Sequence, residues 1–300
     1  MPGFRGSGLS PQDPTARTAM ASKKSAREGL GRDMNIILVG AGNMGFSMLQ
    51  KWLADMEHRF YVVEPVGALR KRALDAGADA FATAEDLPGV FEADVVVVAT
   101  KPQAVPEAVA KYAPYISKEG LFISVAAGVD IKTMVAKAGR QFAIVRCMPN
   151  TAAAIGEGMI VCCPSVQTTL SQRDLTGQLM SAIGKVAFVN DEIHMDAVTA
   201  VSGSGPAYLF HFIEALAKAG ETAGLDPELA MTLAKQTVLG AARLASESDE
   251  PPTTLREQVT SPNGTTAAAL SILMDLEDGL TSLVTKAVAA AKARSIELGR

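Results

Sequence analysis

The chain has 300 residues, of which 48% are hydrophobic and 20% are charged, with a formal net charge of -4 and a pI of about 5.5. This length and apolar content suffice for about two domains with a sizeable core. The net charge is negative and the sequence has no stripe of basic residues, which excludes a general nucleic-acid-binding role. No apolar run reaches the ~20 residues of a transmembrane helix.

The cysteine content indicates no disulfide framework. Of Cys147, Cys162 and Cys163, the last two are neighbours, the number is odd, and no CxxC pair occurs. Reduced thiols in a cytoplasmic protein are therefore the expectation. The histidines are scattered, and their spacing indicates neither a metal site nor an activated nucleophile. We expect no metal.

Residues 1–33 are rich in Gly, Pro, Ser and Arg and show no apolar periodicity, so we expect this extension to be disordered. It contains no hydrophobic segment of a secretory signal, and its acidic residues argue against an organelle transit peptide. An over-extended start, with the native chain beginning at Met34, is the expectation that we favour.

An apolar run over residues 35–40 ends in glycine, which is typical of a buried parallel strand. The sequence GAGNMG follows with the spacing G-x-G-x-x-G and leads into a segment with helical periodicity. Gly40 allows the tight turn, Gly42 lets a pyrophosphate approach the backbone, and Gly45 lets the helix pack on the strand. The motif predicts dinucleotide binding, with a plain strand-to-helix turn as the alternative. The residues expected to contact the cofactor here are Gly40, Ala41, Gly42, Asn43 and Met44.

A second apolar run, residues 60–63, ends at Glu64. At this distance from the glycine motif, an acidic side chain binds the ribose 2′-OH of NAD and repels the 2′-phosphate of NADP. Arg70, Lys71 and Arg72 follow and could hold that phosphate, although a solvated helix face is the interpretation that we favour for them. The choice between NADPH and NADH stays open, and Glu64 is counted among the cofactor residues.

The clearest buried strand pattern covers residues 94–100, and Lys101 follows its carboxyl end, where ligands of doubly wound folds bind. From the residues alone, we interpret Lys101 as a solvated loop lysine. The next strand pattern, residues 121–125, is followed by small residues that leave room for a nicotinamide ring. The residues expected to line the cofactor at these strand ends are Ala99, Thr100, Val125, Ala126 and Ala127.

A further apolar run at residues 142–145 leads into RCMPNTA, in which Asn150 has two interpretations. Its amide either binds the nicotinamide carboxamide or the substrate, or it stabilises the loop. The remaining elements predicted for the sheet are strands at residues 159–162 and 186–189 and a helix at residues 170–183.

After residue 190 the strand signals stop and helical patterns take over. The predicted helices are at residues 193–201, 207–223, 228–245 and 280–298. The sequence SGSGP at residues 202–206 predicts a break, and Asp226-Pro227 predicts an N-cap followed by proline at the first helical position. These helices are rich in alanine and apolar on more than one face, which indicates burial against another subunit. We expect a homodimer or a multiple of dimers.

The stretch LREQVTSPNGTTAAAL, residues 255–270, cannot be a single helix. Pro262 removes a backbone donor, and Asn-Gly is a turn dipeptide. The pattern predicts a helix, a tight polar loop and a second helix with Thr265 and Thr266 in its first turn. Such an N-terminus offers free N–H groups and partial positive charge to an anion. With Ser261 across the turn, the loop suits a small carboxylate or phosphate; a capped interhelix turn is the alternative.

From Met34 onward, five further motifs resemble those of pyrroline-5-carboxylate reductases. They are KP at residues 101–102, SVAAGV at 124–129, RCMPNTA at 146–152, SGSGPAY at 202–208 and the signature around TSPNGTT at 260–266. The chain departs from the family at Ala152, where proline is usual, and at Met274, where an acid or amide is usual. Asn263 stands where many members have glycine, and it tolerates the same left-handed turn.

The resemblance implies NAD(P)H-dependent reduction of 1-pyrroline-5-carboxylate to L-proline, the last step of proline biosynthesis. Members generally use NADPH and some also use NADH. The substrate carboxylate is expected on the N–H groups of Gly264, Thr265 and Thr266 and the hydroxyl of Ser261. Thr266 is the expected catalytic residue, which binds the imine nitrogen and orients it. The resemblance also places Glu192 near the substrate, and it implies that Lys101 and Pro102 contact the cofactor.

Together, these features predict an α/β protein. A doubly wound, Rossmann-type NAD(P)-binding domain is expected over residues 34–190, followed by an all-α dimerisation and substrate-binding domain over residues 191–300. Two rivals share this fold: a related two-domain reductase of another imine or of a 2-oxo acid, and a non-catalytic dinucleotide-binding protein. Neither a nucleic acid nor a membrane is an expected partner.

Overall fold

The computed structural model describes residues 33–89 and 91–299, so the predicted disorder of residues 1–33 lies almost wholly outside the described residues. Within them, one sheet is built from eight strands: Asn35–Val39 (β1), Arg59–Val63 (β2), Asp79–Phe81 (β3), Ala93–Val98 (β4), Ile116–Ser124 (β5), Ala143–Met148 (β6), Gly158–Pro164 (β7) and Gly184–Phe188 (β8). The strand order is β3-β2-β1-β4-β5-β6-β7-β8. All pairs run parallel except β6 and β7, which are antiparallel.

Helices cover both faces of this sheet, and the described chain after β8 is entirely helices and the turns between them. In the described part of the chain the α-helices are Asn43–Asp55 (α1), Gly67–Asp75 (α2), Val105–Tyr112 (α3), Ile131–Ala138 (α4), Leu170–Ser181 (α5), Met195–Val198 (α6), Gly205–Thr222 (α7), Pro227–Glu247 (α8), Pro252–Gln258 (α9), Thr265–Leu273 (α10) and Leu280–Leu298 (α11). Shorter 3₁₀ turns are Ala84–Asp86, Pro102–Ala104, Ala113–Tyr115, Thr151–Ile155 and Glu192–His194.

The sheet is buried on both faces because its central strands are continuous apolar runs. Successive side chains of β1 alternate between the two faces. Ile36 and Leu38 join the core under α1 and α5, whereas Ile37 joins the core on the opposite face. Trp52 of α1 is fully buried, and its indole N–H donates a 2.7 Å hydrogen bond to the carbonyl of Leu179 in α5. This bond fixes the two helices of one face to each other.

The order of the strands reverses between β1 and β4. From β1, the strands β2 and β3 extend the sheet to one side, and β4, β5 and β6 extend it to the other. Val39 pairs with Val63 of β2 and with Val98 of β4, so these three strands end at the same level. In doubly wound folds this reversal opens a crevice beyond the carboxyl ends, where ligands bind. The predicted doubly wound domain is therefore confirmed.

The predicted break at residues 202–206 is wrong in its first part, because the helical chain continues there. Residues Thr199–Gly203 form a π-helical turn, closed by a 2.8 Å hydrogen bond from the Ser204 N–H to the Thr199 carbonyl. Pro206 lies in the first turn of α7, where backbone N–H groups have no acceptor within the helix, so proline costs no hydrogen bond there. Backbone hydrogen bonding therefore continues through most of the segment in which the sequence predicts a break.

The signals at the start of α8 are confirmed in detail. The Asp226 carboxylate accepts hydrogen bonds from the N–H groups of Glu228 at 2.9 Å and Leu229 at 3.3 Å. Pro227 occupies the first helical position. The preceding helix ends at Gly224, whose φ of +99° lies in the region that glycine favours. Local sequence signals therefore predict this turn between α7 and α8.

Helices α7 to α11 expose an apolar surface to solvent in the single chain. Neither α9 nor α10 buries any residue, and α7 and α8 bury only alanines. We call this the apolar helical surface; its large exposed members include Leu209, Phe210, Phe212, Leu239, Leu244, Ile272, Leu276, Leu283 and Val284. A patch of this kind indicates a protein interface. Among the described residues, no helix is both long and apolar enough to cross a membrane.

Candidate functional site

The predicted cofactor residues meet at the carboxyl edge of the sheet. Backbone hydrogen bonds extend the pairing one residue beyond the strand ends: the Gly40 N–H donates to Val63 at 2.9 Å, and the Ala99 N–H donates to Val39 at 2.8 Å. On the next strand, the Val125 N–H donates to the carbonyl of Val98 at 3.1 Å. The loops that follow β1, β2, β4 and β5 therefore start side by side around the crevice.

The glycine loop after β1 has the backbone geometry that a dinucleotide requires. Gly40 has a φ of +93°, and an added Cβ would lie 2.9 Å from the carbonyl oxygen of Ala99. A Cβ at Gly45 would collide with the Gly40 carbonyl, so helix and strand approach each other closely. At Gly42 an added Cβ would meet no atom within 4 Å, which leaves open space at the N-terminus of α1. Asn43 begins that helix without a side-chain cap, so its first N–H groups face this space. The loop fits a pyrophosphate.

Glu64 lies where the spacing predicts it, at the end of β2, and it is only 5% exposed. Its carboxylate accepts hydrogen bonds from the N–H of Ala41 at 2.8 Å and from the N–H of Val66 at 2.9 Å. The acidic side chain is thus held against the glycine loop. It presents a negative charge at the position expected for the adenosine ribose.

The basic residues after Glu64 do not share one solvated face, and this corrects our interpretation of them. Lys71 does point outward, where it pairs with Asp75 at 2.7 Å. The Arg70 guanidinium instead donates to the carbonyl of Glu64 at 2.8 Å. The buried face of α2 turns Arg72 toward the glycine loop. There it donates to the Ala41 carbonyl at 2.7 Å and stacks on Phe46, with 3.9 Å between the guanidinium carbon and the ring centroid.

The predicted nicotinamide side of the crevice follows β4 and β5. Thr100 is half-buried, and Lys101 is exposed directly before a 3₁₀ turn that starts at Pro102. Beyond β5, Val125 and Ala126 are buried and the loop becomes half-buried at Ala127. These residues follow two adjacent strands of the sheet, so the two loops begin next to each other.

Asn150, at the end of β6, connects the two parts of the chain. Its side-chain amide donates to the carbonyl of Ser202 in the π-helical turn at 3.1 Å, and its oxygen accepts from the Met159 N–H at 3.3 Å. Of its two interpretations, the structure supports the stabilising one. An added Cβ at Gly203 would collide with the side chain of Met148, so the small residues of this turn allow its close packing on β6.

Glu192 lies at the first helical turn after the sheet. Its carboxylate accepts a 2.9 Å hydrogen bond from the Arg146 guanidinium, and both oxygens accept from the N–H of Ile131 at 3.0 and 3.2 Å. We assigned Arg146 no role from the sequence, although a charged residue within a buried apolar strand requires a partner. The same charges affect Cys163: burial and the nearby Glu192 carboxylate raise its pKa to about 11.

The predicted substrate loop has the expected turn at the start of α10. Asn263 has a φ of +58°, and the N–H of Gly264 donates to the Ser261 carbonyl at 3.0 Å. That bond engages the Gly264 N–H within the turn, which shifts the free donors one residue along, to Thr265, Thr266 and the next residue. Gly264 remains the N-cap, and an added Cβ there would collide with the Ser261 hydroxyl. The hydroxyl of Ser261 thus lies beside the helix start.

In the single chain, the helices α9 and α10 that flank the substrate loop make no extensive contact with the strands that border the crevice. Ser261 and Thr265 are exposed, Thr266 is half-buried, and neither flanking helix contributes a buried residue. The sequence therefore identifies both features, but one chain alone leaves the loop on the apolar helical surface.

Comparisons with known proteins agree with this two-part architecture. A family model described as pyrroline-5-carboxylate reductase dimerisation matches residues 192–298, and one described as NADP oxidoreductase coenzyme F420-dependent matches residues 35–128. The chain is 40% identical to the pyrroline-5-carboxylate reductase of Pseudomonas aeruginosa over 264 residues, which cover 88% of this chain and 96% of that protein.

Solved structures give the same result. A pyrroline-5-carboxylate reductase from Coxiella burnetii matches with a TM-score of 0.83 and 34% identity, covering 90% of this chain and 100% of that one. A Plasmodium falciparum pyrroline carboxylate reductase with NADP bound matches with a TM-score of 0.74 and 28% identity, covering 89% and 98%. The chain thus combines a nicotinamide-dinucleotide-binding domain with a helical dimerisation domain. The chain belongs to the pyrroline-5-carboxylate reductase family.

Proposed function

We propose that the protein reduces 1-pyrroline-5-carboxylate to L-proline with NAD(P)H, the final step of proline biosynthesis. The observation that carries this function is the presence in one chain of two sites with complementary chemistry. One is the dinucleotide crevice, where Gly42 leaves space for a pyrophosphate. The other is the start of α10, where free N–H groups and hydroxyls suit a small carboxylate. A small anionic cyclic imine requires both.

The cofactor residues have distinct tasks in this proposal. The loop of Gly40, Ala41, Gly42, Asn43 and Met44 binds the pyrophosphate on N–H groups at the start of α1. When bound, the reduced nicotinamide supplies the hydride for the ring carbon of the C=N bond. The residues that border its ring are Ala99, Thr100, Lys101, Pro102, Val125, Ala126 and Ala127.

We further propose that the enzyme uses both NADPH and NADH. The buried Glu64 carboxylate favours a ribose 2′-OH and disfavours a 2′-phosphate. Arg70 and Arg72 are drawn toward this end of the crevice by their hydrogen bonds to the backbone of Glu64 and Ala41, so their positive charges offset part of that repulsion.

In the proposed substrate site, the N–H groups of Thr265 and Thr266 and the hydroxyl of Ser261 bind the carboxylate. Gly264 sets the turn that aligns them. The Thr266 hydroxyl bonds the imine nitrogen and holds the ring in position. A protonated imine is already electrophilic, so this contribution is orientation and charge stabilisation rather than proton transfer.

The separation of loop and crevice in one chain supports a site built from two subunits. In a homodimer, or a multiple of dimers, the apolar helical surface is buried and the substrate loop of one subunit meets the crevice of its partner. An obligate interface of this kind buries more than ~2,000 Å². We propose the division into residues 34–190 for cofactor binding and 191–300 for dimerisation and substrate binding.

A cytoplasmic location completes the proposal. Cys147 and Cys162 face each other across β6 and β7 as buried thiols, with 3.1 Å between their sulfur atoms. A reducing compartment keeps such neighbours in the thiol form.

A turnover assay with NADPH and with NADH tests the function. We expect oxidation of either cofactor to depend on 1-pyrroline-5-carboxylate and to yield L-proline. Other cyclic imines and 2-oxo acids serve as matched substrates. Faster turnover of one of these would make the protein a related reductase, and cofactor binding without any turnover would make it a non-catalytic binding protein.

A further inference from the structure

The Glu192 carboxylate connects the start of the helical domain to two elements of the cofactor domain. One oxygen pairs with Arg146 of β6 at 2.9 Å, and both oxygens accept from the N–H of Ile131. The Arg146 side chain is 6% exposed and that of Glu192 is 27% exposed. A largely desolvated, charge-assisted contact of this kind fixes geometry more firmly than a surface pair does.

The position of Ile131 gives this contact its significance. Ile131 is the first residue of α4, directly after the loop at residues 126–130 that leaves the carboxyl end of β5. Asp130 caps the same helix by accepting from the Thr133 N–H at 2.6 Å, so Glu192 satisfies a different N–H of that first turn. The loop therefore ends at a point that Glu192 holds.

The helical domain also contacts the middle of this loop. A Cβ added at Gly299, beyond α11, would lie 2.7 Å from the carbonyl oxygen of Gly128. The end of α11 is in turn bound to α6, because the buried Ser295 hydroxyl donates to Asp196 at 2.6 Å. Segments from both ends of the helical domain thus pack against the loop.

We propose that Glu192 is a positioning residue that holds the loop at residues 126–130 at the nicotinamide end of the crevice. The inference rests on the proposed function, since that loop borders the ring that donates the hydride. Glu192 acts through the Ile131 N–H, with Arg146 keeping its carboxylate in place, and it does not touch the substrate. Through this contact the helical domain sets the geometry of the cofactor domain.

Two pairs of variants isolate this role. Ile131→Pro removes the N–H that Glu192 accepts from, and its ring pushes the carboxylate away from α4, while both charges of the Glu192–Arg146 pair are kept. Proline suits the first position of a helix. Its control, Ile131→Ala, loses the side chain and keeps the N–H. Glu192→Ala removes the carboxylate; its control, Asp191→Asn, alters the neighbouring exposed acid that caps Ile193.

The readout compares binding of intact NADPH with binding of 2′,5′-ADP, which lacks the nicotinamide, by calorimetry. Ile131→Pro and Glu192→Ala should weaken NADPH by about tenfold, the loss of one charge-assisted bond, while 2′,5′-ADP binds as before. Their kcat should fall with an unchanged KM for the imine, and the two controls should behave like the parent chain. Neither binding measurement requires turnover, so a failure of the proposed reaction would leave the binding result intact.

Three results would overturn the inference. A raised KM for the imine with unchanged NADPH affinity would assign Glu192 to the substrate. Equal losses for NADPH and 2′,5′-ADP, together with a lower Tm, would show a general structural role. Parent-like binding in both variants would show that the contact has no effect on the cofactor.

Discussion

The carboxylate of Glu64 accepts a 2.8 Å hydrogen bond from the N–H of Ala41, in the glycine loop of the neighbouring strand. It also accepts from the N–H of Val66, so it stabilises two backbone segments while it carries a negative charge. A substitution at Glu64 therefore changes the cofactor site in two ways, through charge and through loop geometry. Glutamine removes the charge and keeps one acceptor oxygen, but its NH2 group then faces one of the two N–H groups, whereas the serine hydroxyl is too short to reach either of them.

We predict that Glu64→Gln raises the ratio of kcat/KM for NADPH to that for NADH, on the order of tenfold, because it removes a charge that opposes the 2′-phosphate. Glu64→Ser should raise the same ratio but also lower both values, since the backbone bonds are lost. Steady-state kinetics with both cofactors measures this. An unchanged ratio in both variants would mean that Glu64 points away from the ribose.

Arg72 and Lys71 are adjacent in sequence and differ in their contacts, so they form a matched pair. Arg72→Met should weaken cofactor binding several-fold, because it removes the bond to the Ala41 carbonyl and a positive charge near the ribose. Lys71→Met removes only an exposed pair with Asp75 and should have little effect. Fluorescence titration with NADPH distinguishes them, and equal affinities would contradict the assignment of Arg72.

Thr266→Ala should lower kcat by about 10²–10³-fold, the usual loss for one donor that orients a reacting group. NAD(P)H affinity should stay as in the parent chain, because the crevice lies in the other domain. Thr266→Ser keeps the hydroxyl and should retain much of the activity. Weaker cofactor binding with normal turnover at saturation would be incompatible with the proposed role.

The apolar helical surface predicts a dimer, or a multiple of dimers, at low micromolar concentration in sedimentation experiments. Mixing tests whether the sites are shared. Gly42→Asp has room for its side chain but places a carboxylate where the pyrophosphate binds. Dissociated and reassociated with Thr266→Ala chains, it should restore part of the activity, since some mixed sites contain neither substitution. A stable, active monomer excludes the dimer, and a dimer without rescue excludes only the shared site.

The three cysteines should resist alkylation in the native protein. Cys147 and Cys162 are fully buried and Cys163 is 1% exposed. Burial raises the pKa of Cys147, and it raises the pKa of Cys163 to about 11. Because the thiolate is the reactive form, roughly one Cys163 thiol in a thousand is ionised at pH 8. Iodoacetamide at pH 8 should therefore label all three only after denaturation, and rapid labelling of the folded protein would contradict this packing.

Much of the fold follows from short-range patterns in the sequence. The apolar runs predict the strands, and the Gly40–Gly42–Gly45 spacing predicts the loop: Gly40 has a positive φ, Gly45 packs against the Gly40 carbonyl, and Gly42 leaves open space beside the helix start. The cap at Asp226 and the left-handed Asn263 follow from the same local rules.

Contacts between distant residues could not be predicted in this way. Arg72 binds a carbonyl 31 residues away, Asn150 reaches Ser202, and Glu192 reaches Ile131 across 61 residues. The periodicity of apolar residues predicts the face of a helix or strand on which a side chain lies. It does not predict the residue that the side chain contacts, because that contact depends on how the helices pack on the sheet. The π-helical turn at Thr199–Gly203 is similar: glycine and serine predict a break, yet packing against β6 favours continued backbone bonding.

The order of the two halves along the chain bears on biosynthesis. A polypeptide is made from its N-terminus, and domains generally fold as units in that order. The two cores of the sheet are complete by β8, whereas α9 and α10, which bury no residue, leave the ribosome after the whole sheet has been made. The helices of the apolar helical surface thus emerge late in synthesis, which shortens the time for which they are exposed before a second subunit covers them. A circular permutant that places these helices first should aggregate during expression more than the parent chain does.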